Sequence, residues 1–172
     1  EAVSKYGLGL EFASDRLKDN ILIIQAAIQQ NPFALKFASQ ALRDDFKIVQ
    51  SAIEKSGITL QYASLSLRDN MELVLYAISN NGRALEYASD NLKDDIDVVI
   101  NAVTNNGSQL KFASDRLKDN QQIILKAIEN DSKYFEYASN NLKSNVEFIS
   151  NVIINTKYYI RSRTSPILIK EN

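Results

Sequence analysis

Serine is the residue of this chain whose side chain comes closest to a catalytic pattern, because it recurs at a fixed spacing. One serine follows an aromatic residue and an alanine every 25 residues, at Ser14, Ser39, Ser64, Ser89, Ser114 and Ser139. A serine nucleophile needs a neighbouring general base, and the 172-residue chain contains neither histidine nor cysteine. Six equivalent copies indicate a structural role, so we expect no catalytic serine and no enzyme activity.

An aspartate column with the same interval could bind metal ions. Its members are Asp19, Asp44, Asp69, Asp94 and Asp119, with Ser144 in the sixth place. Packed helices lie about 10 Å apart, so carboxylates of successive repeats cannot share one ion. We therefore predict that this column caps the first helix of each repeat, with Glu72 completing a capping box after Asp69. The Asp94-Asp95 pair is likewise assigned to a helix start, where the helix dipole stabilises negative charge. No metal or cofactor is expected.

An aromatic column precedes the serines and could stack nucleic-acid bases. It consists of Phe12, Phe37, Tyr62, Tyr87, Phe112 and Tyr137. Phenylalanine replaces tyrosine freely, so the hydroxyl is dispensable. We therefore favour buried packing of these rings over a stacking platform.

A basic column is open to two interpretations. Its members are Lys18, Arg43, Arg68, Lys93, Lys118 and Lys143. These cations could stabilise a helix end and pair with neighbouring aspartates. Alternatively, Arg43, Arg68, Lys93 and Lys118 could form a stripe that binds an anionic partner. The net charge of −1 argues against a general polyanion binder, which needs uncompensated positive charge, so we expect no nucleic-acid partner.

The elements that carry these columns are predicted to be two helices per repeat. Complete units run over 19–43, 44–68, 69–93, 94–118 and 119–143. In the first helix, apolar columns such as Leu73, Val74, Ala77 and Ile78 form a stripe of helical period. The second helix is predicted to begin after Asn31, Ser56, Asn81, Asn106 and Asp131, which act as N-caps. Pro32 shares the following column with glycines and suits a first helical position, so these glycines need no positive φ.

The second helix is expected to be packed on two faces. Leu85, Ala88 and Leu92 are spaced to share one face, and Tyr87 points the opposite way. The invariant alanine column suggests a close helix crossing. Ser89 either ends this helix or caps a last short turn that holds Leu92. The sequence therefore predicts an all-α solenoid of stacked short helical hairpins with a 25-residue period.

The array is predicted to cover residues 1–154. Residues 155–172 are predicted to form an atypical C-terminal cap or linker. Ala2-Val3 aligns with Ala27-Ile28, so we expect a monomeric segment of a longer array. No apolar run approaches the 18 residues of a membrane span, and no signal peptide is visible. We expect no membrane partner and a cytoplasmic location.

The combined pattern of Leu67-Arg68-Asp69, Leu73-Val74, Ala77-Ile78, Asn81-Gly82 and Tyr87-Ala88-Ser89 resembles a tandem-repeat family of unknown function, domain of unknown function 4116. The resemblance covers roughly residues 1–154, with Pro32, Ser132 and Phe135 as departures. Such repeats occur in large proteins of protists, giant viruses and intracellular bacterial pathogens. For a pathogen effector this implies the host cytosol as location. The family supplies no activity and hence no catalytic residues to transfer.

The function expected from the sequence is protein–protein interaction or scaffolding within a larger protein, with an unidentified protein as partner. Variable positions that should be exposed are the candidates for partner binding: Phe33, Leu65, Tyr76, Arg83 and Tyr134. The alternatives are binding of nucleic acid or an anionic ligand along the basic column, or a purely structural spacer.

Overall fold

The structure is a computed structural model, and it describes residues 7–154. The predicted C-terminal cap or linker at 155–172 lies outside the described residues, as does the start of the predicted array at 1–6. The boundary between the two predicted domains is therefore not addressed by the fold.

Each repeat contains three helices in a fixed order: a long α-helix, a 3₁₀-helix and a short α-helix. The long helices are Ile21–Gln30, Phe46–Lys55, Met71–Asn80, Ile96–Asn105, Gln121–Asn130 and 146–154. The 3₁₀-helices are Gly7–Phe12, Pro32–Phe37, Gly57–Tyr62, Gly82–Tyr87, Gly107–Phe112 and Ser132–Tyr137. The short helices are Asp15–Lys18, Gln40–Arg43, Leu65–Arg68, Asp90–Lys93, Asp115–Lys118 and Asn140–Ser144.

The repeats stack into two layers around one continuous core. Long helices of adjacent repeats contact one another, and so do the 3₁₀-helices, while each long helix also packs on the 3₁₀-helix of the preceding repeat. The described residues contain no strand. The predicted all-α solenoid is confirmed, and the second arm of each hairpin proves to be divided into a 3₁₀-helix and a short α-helix.

The long helices begin one residue later than predicted. The N-cap of the third long helix is Asn70, whose Oδ1 accepts the Leu73 backbone N–H at 3.0 Å. Equivalent bonds are made by Asn20, Asp45, Asp95, Asn120 and Asn145. The predicted capping role of the preceding aspartate column is therefore wrong, and so is the capping box, because Glu72 is only the second residue of its helix. The predicted apolar stripe is confirmed by the complete burial of Leu73, Val74 and Ala77.

The 3₁₀-helices follow the predicted N-caps. Asn81, for example, accepts the Arg83 N–H at 3.0 Å, although Ser56 makes no such side-chain bond. As predicted, none of Gly57, Gly82 and Gly107 has a φ in the left-handed region. A 3₁₀-helix has three residues per turn, which places Gly82, Leu85 and Ala88 on one face, and all three are buried.

A break after the 3₁₀-helix separates Leu92 from Leu85. Ala88 and Ser89 are both extended, with ψ of 161° and 163°. Leu92 therefore lies on the short α-helix, and the prediction that Leu85, Ala88 and Leu92 share one face of a single helix is wrong.

Candidate functional site

The recurring serines tie each repeat to the one before it. The Ser89 backbone N–H donates to the Arg68 carbonyl at 2.9 Å, and the Ser89 hydroxyl donates to the Asp69 carboxylate. The same Oγ accepts the Leu92 N–H at 3.2 Å and so caps the short helix. These three contacts recur at Ser39, Ser64, Ser114 and Ser139. Of the two roles left open for Ser89, capping of a short turn is the one observed.

The aspartate column is the acceptor side of this contact, which we call the Asp–Ser junction. It joins the aspartate that ends one short helix, such as Asp69 after Leu65–Arg68, to the serine that begins the short helix of the next repeat, 20 residues later. A polar side chain two residues after the serine adds a second donor in most repeats. Ser66 donates to Asp44, and Arg116 pairs with Asp94 at 3.0 Å. The Ser64 and Ser66 hydroxyls hold the pKa of Asp44 below its ordinary value, and Ser114 and Arg116 do the same for Asp94. A carboxylate with a lowered pKa is a weak general base, so the Asp–Ser junction is suited to holding repeats together rather than to activating a nucleophile.

The lowered pKa values predict acid sensitivity of the fold. Folding lowers the pKa of these carboxylates, so their contribution to stability is fully present above the pKa of an unfolded aspartate, about 3.9. The contribution is lost as the pH falls through the lower pKa of the folded state, because the carboxylate is then protonated. The denaturant concentration at the unfolding midpoint, measured from about pH 7 to about pH 2, should therefore decrease once the pH drops below about 4. The double variant Ser64→Ala/Ser66→Ala should show a shallower fall, because the pKa of Asp44 is then closer to its unfolded value.

A control for this titration is Ser79→Ala, since the Ser79 hydroxyl donates to the Tyr76 carbonyl at 2.8 Å within its own helix. That variant should keep the wild-type pH dependence. Identical pH profiles for wild type and Ser64→Ala/Ser66→Ala would contradict the assigned hydrogen bonds.

The basic column lies against the protein rather than in open solvent. Arg68 Nε donates to the Tyr87 carbonyl of the next repeat. Lys93 and Lys118 approach Asp90 and Asp115, three residues earlier, at 4.0 and 3.5 Å, and their side chains are only 20% and 24% exposed. Arg43 Nε is buried without a hydrogen-bond partner. These lysines therefore pair within their own short helix and not with the aspartates that follow them. Anion binding by this column remains a prediction.

A second junction between repeats escaped the sequence reasoning. Asn80 Oδ1 accepts the Gly57 N–H at 2.7 Å, and Asn80 Nδ2 donates to the Glu54 carbonyl at 3.0 Å. Asn130 accepts the Gly107 N–H in the same way. Proline lacks an N–H, and the residue 23 positions after Pro32 is Lys55, whose side chain has no acceptor. At Gly57 and Gly107, glycine is thus followed by asparagine 23 residues later, and where proline replaces the glycine, lysine replaces the asparagine. This paired substitution was the signal that could have revealed the contact.

The predicted partner-binding residues do not lie together. Leu65 is on a short helix and Tyr76 on a long helix, whereas Arg83 is on a 3₁₀-helix, and all three are exposed. Phe33 and Tyr134 lie on the 3₁₀ layer and are half-buried. The expectation that these two residues are exposed is therefore wrong. Phe33 packs edge-on against Tyr62, with ring centroids 6.3 Å apart, and Tyr134 stacks on Tyr137 at the same distance. Partner binding by the five residues remains a prediction.

The aromatic column is half-buried rather than buried. Tyr62 and Tyr87 pack against the core with part of each ring in solvent, and Phe37, Phe112 and Tyr137 are similar. Phe12, in the first described repeat, is 90% exposed. The prediction of buried rings is therefore wrong in degree.

An exposed apolar surface on the long-helix layer was also missed. The first position of the long helices is apolar in every repeat except at Gln121: Ile21, Phe46, Met71, Ile96 and Val146. Met71 is 44% and Ile96 39% exposed. We define the outer apolar row as Phe46, Met71 and Ile96 with Leu75, Ile100 and Leu125 of the fifth helical positions. Ile100 and Leu125 line one shallow groove between adjacent long helices. The recurrence of apolar residues in this column was the signal that could have revealed it.

No group of three or more His, Cys, Asp or Glu side chains within 7–154 is placed to hold a metal ion. No helix in this range is long and apolar enough to cross a membrane.

Comparison with known proteins gives a family and no characterised relative. The model of the family described as "Domain of unknown function (DUF4116)" matches six overlapping stretches: 1–43, 23–68, 45–93, 70–118, 95–143 and 120–163. No curated protein and no solved structure matches the chain.

Proposed function

Because the chain belongs to the family described as domain of unknown function (DUF4116), whose description names no activity, we propose a function from the geometry: a non-catalytic module that binds another protein. One observation carries the proposal. The residues that recur in every repeat are engaged in junctions between repeats, whereas the outward positions change from one repeat to the next. Solenoids use such outward positions as extended binding surfaces.

The outward columns support a specific rather than a general surface. The second position of the long helices holds Leu22, Lys47, Glu72, Asp97, Gln122 and Glu147. All six are exposed, yet they differ in charge and size. A surface that varies at equal exposure can distinguish partners by shape and charge complementarity, which a structural spacer does not require.

Two other functions receive less support. The recurring serines donate to carboxylates of lowered pKa at Asp44 and Asp94, an arrangement poorly suited to nucleophilic catalysis. Arg68, Lys93 and Lys118 are engaged by the protein itself, so three of the four residues of the candidate anion-binding stripe are less available to a phosphate backbone. For the location of this binding we propose the cytoplasm.

The proposal is tested by affinity capture with the immobilised 172-residue chain, followed by mass spectrometry. The lysate is divided, and one half is treated with nuclease before capture at about 150 mM salt, where long-range charge effects are screened. We expect the same proteins to be retained from both halves. Retention that disappears after nuclease treatment would contradict protein binding and support nucleic-acid binding.

A further inference from the structure

The outer apolar row lies at the edge of the core, where Phe46, Leu75 and Leu125 pack against it and other members reach solvent. Met71 and Ile96 begin their long helices and are 44% and 39% exposed, although the third and fourth residues of the same helices are fully buried. Leu75 and Ile100 lie one helical turn further on and are half-buried. Positions i and i+4 are neighbours on a helix surface, so Met71 with Leu75, and Ile96 with Ile100, form adjacent apolar patches on two stacked helices.

The rim of this surface carries an excess of negative charge. Around Phe46, residues 40–47 are balanced, with two carboxylates and two cations that include the exposed Lys47, whereas residues 65–72 and 90–97 around Met71 and Ile96 contain six carboxylates and two cations. The two cations are engaged, because Arg68 donates to the Tyr87 carbonyl and Lys93 approaches Asp90. Arg116 pairs with Asp94 at 3.0 Å and so offsets one of the carboxylates. Glu72 and Asp97 are both exposed and directly follow Met71 and Ile96.

We infer that the outer apolar row binds a basic amphipathic helix of a protein partner, an assignment that rests on the proposed protein-binding function. Stacked helices are about 10 Å apart, and seven residues of an α-helix rise about 10.5 Å. A helix that crosses the long-helix layer and carries an apolar residue at every seventh position would therefore meet Phe46, Met71 and Ile96 in turn. Lysines or arginines beside its apolar stripe would face Glu72 and Asp97.

The probe for this assignment is a synthetic peptide of about 21 residues, which is three such intervals. It consists of leucine and lysine, with the leucines on one helical face. Two matched peptides accompany it: a scrambled peptide of the same composition that has no apolar face, and a peptide in which glutamate replaces every lysine. Binding to the full chain is measured by isothermal titration calorimetry. The amphipathic lysine peptide should bind at least about tenfold more tightly than either control, a difference that calorimetry resolves readily.

The protein variant for the same titration is Met71→Gln/Ile96→Gln. Glutamine occupies this position naturally at Gln121, so the fold should tolerate it, and an unchanged melting temperature verifies this. The double variant should weaken binding of the lysine peptide at least about tenfold, as expected for residues at the centre of an interface. The matched control is Ile58→Ser on the 3₁₀ layer, where the equivalent residue is Ser108. This control should bind the peptide within about twofold of wild type.

Two results would overturn the assignment: equal binding of the amphipathic and scrambled lysine peptides, or unchanged binding by Met71→Gln/Ile96→Gln. Either result would leave the proposed function standing if affinity capture still retained proteins. Capture of the same proteins by wild type and by the double variant would likewise place their binding on another surface. Failure of capture alone would contradict the proposed function, whereas the peptide titration reports on the row itself.

Discussion

Replacing Gly57 by alanine should destabilise the array by on the order of 3 kcal/mol, the upper part of the range for overpacking. A Cβ at this position would lie 2.2 Å from the Ala77 carbonyl oxygen of the next repeat. That oxygen accepts the Asn81 N–H at 2.8 Å and closes the last turn of its long helix, so the backbone must move. Because repeats are held mainly by their neighbours, we expect the chain to unfold in two steps instead of one. Circular dichroism during urea denaturation reports both effects.

The control for Gly57 is Gly9→Ala, because nothing lies within 4 Å of a Cβ at Gly9. The equivalent residues Ala34 and Ala84 already carry a side chain at this position. This variant should change the free energy of unfolding by less than about 1 kcal/mol. Equal denaturation curves for the two glycine variants would show that the close approach at Gly57 is not a constraint on the fold.

Replacing Leu85 by alanine should cost on the order of 2–5 kcal/mol, through lost apolar burial and the cavity that remains. Leu85 is fully buried on the 3₁₀-helix face that also carries Gly82 and Ala88. The control is Leu65→Ala, because Leu65 is 78% exposed on a short helix. Its unfolding free energy should change by no more than about 0.5 kcal/mol. Comparable losses for the two leucines would contradict the position of the core between the two layers.

The 25-residue period and the chemistry of the recurring residues were sufficient to predict the solenoid. Apolar columns such as Val74 and Ile78 repeat at helical spacing and are buried. Asn31 and Asn81 were correctly identified as N-caps of the second helix, because Pro32 in the next column restricted the geometry. These features depend on residues close together in the sequence. Each repeat also shows independently which residue types are accepted at an equivalent position.

The role of the aspartate column could not be read from local sequence. Asp69 and Asn70 are adjacent, and both side chains are good N-caps. What distinguishes them is the Ser89 hydroxyl, 20 residues away at the start of the next short helix, which donates to Asp69. The 3₁₀ geometry of the second helix could not be predicted either, because the segment is too short for its period to be distinguished from that of an α-helix. Over six residues, periods of 3.0 and 3.6 place Leu85 and Ala88 on nearly the same face.

The candidate binding surface was the least predictable part. Variability along the repeats predicts exposure, yet Phe33 packs against Tyr62 and Tyr134 against Tyr137. Only Tyr76 of the five predicted residues adjoins the outer apolar row, directly after Leu75. The exposure of a residue depends on how the two layers stack. A column of apolar residues such as Phe46, Met71 and Ile96 predicts burial in the core, and only the stacking shows that part of it is exposed.

Neighbouring repeats are held together by the recurring aspartates and serines of the Asp–Ser junction. A double-mutant cycle with Asp69→Ala and Ser89→Ala tests this claim, because the cycle isolates the interaction between the two side chains. A second cycle with Asp69→Ala and Ser79→Ala is the control, since the Ser79 hydroxyl bonds within its own helix. We predict that the Asp69/Ser89 double variant loses clearly less stability than the sum of the single variants, while the Asp69/Ser79 losses add. Additive losses for Asp69 and Ser89 would contradict the claim.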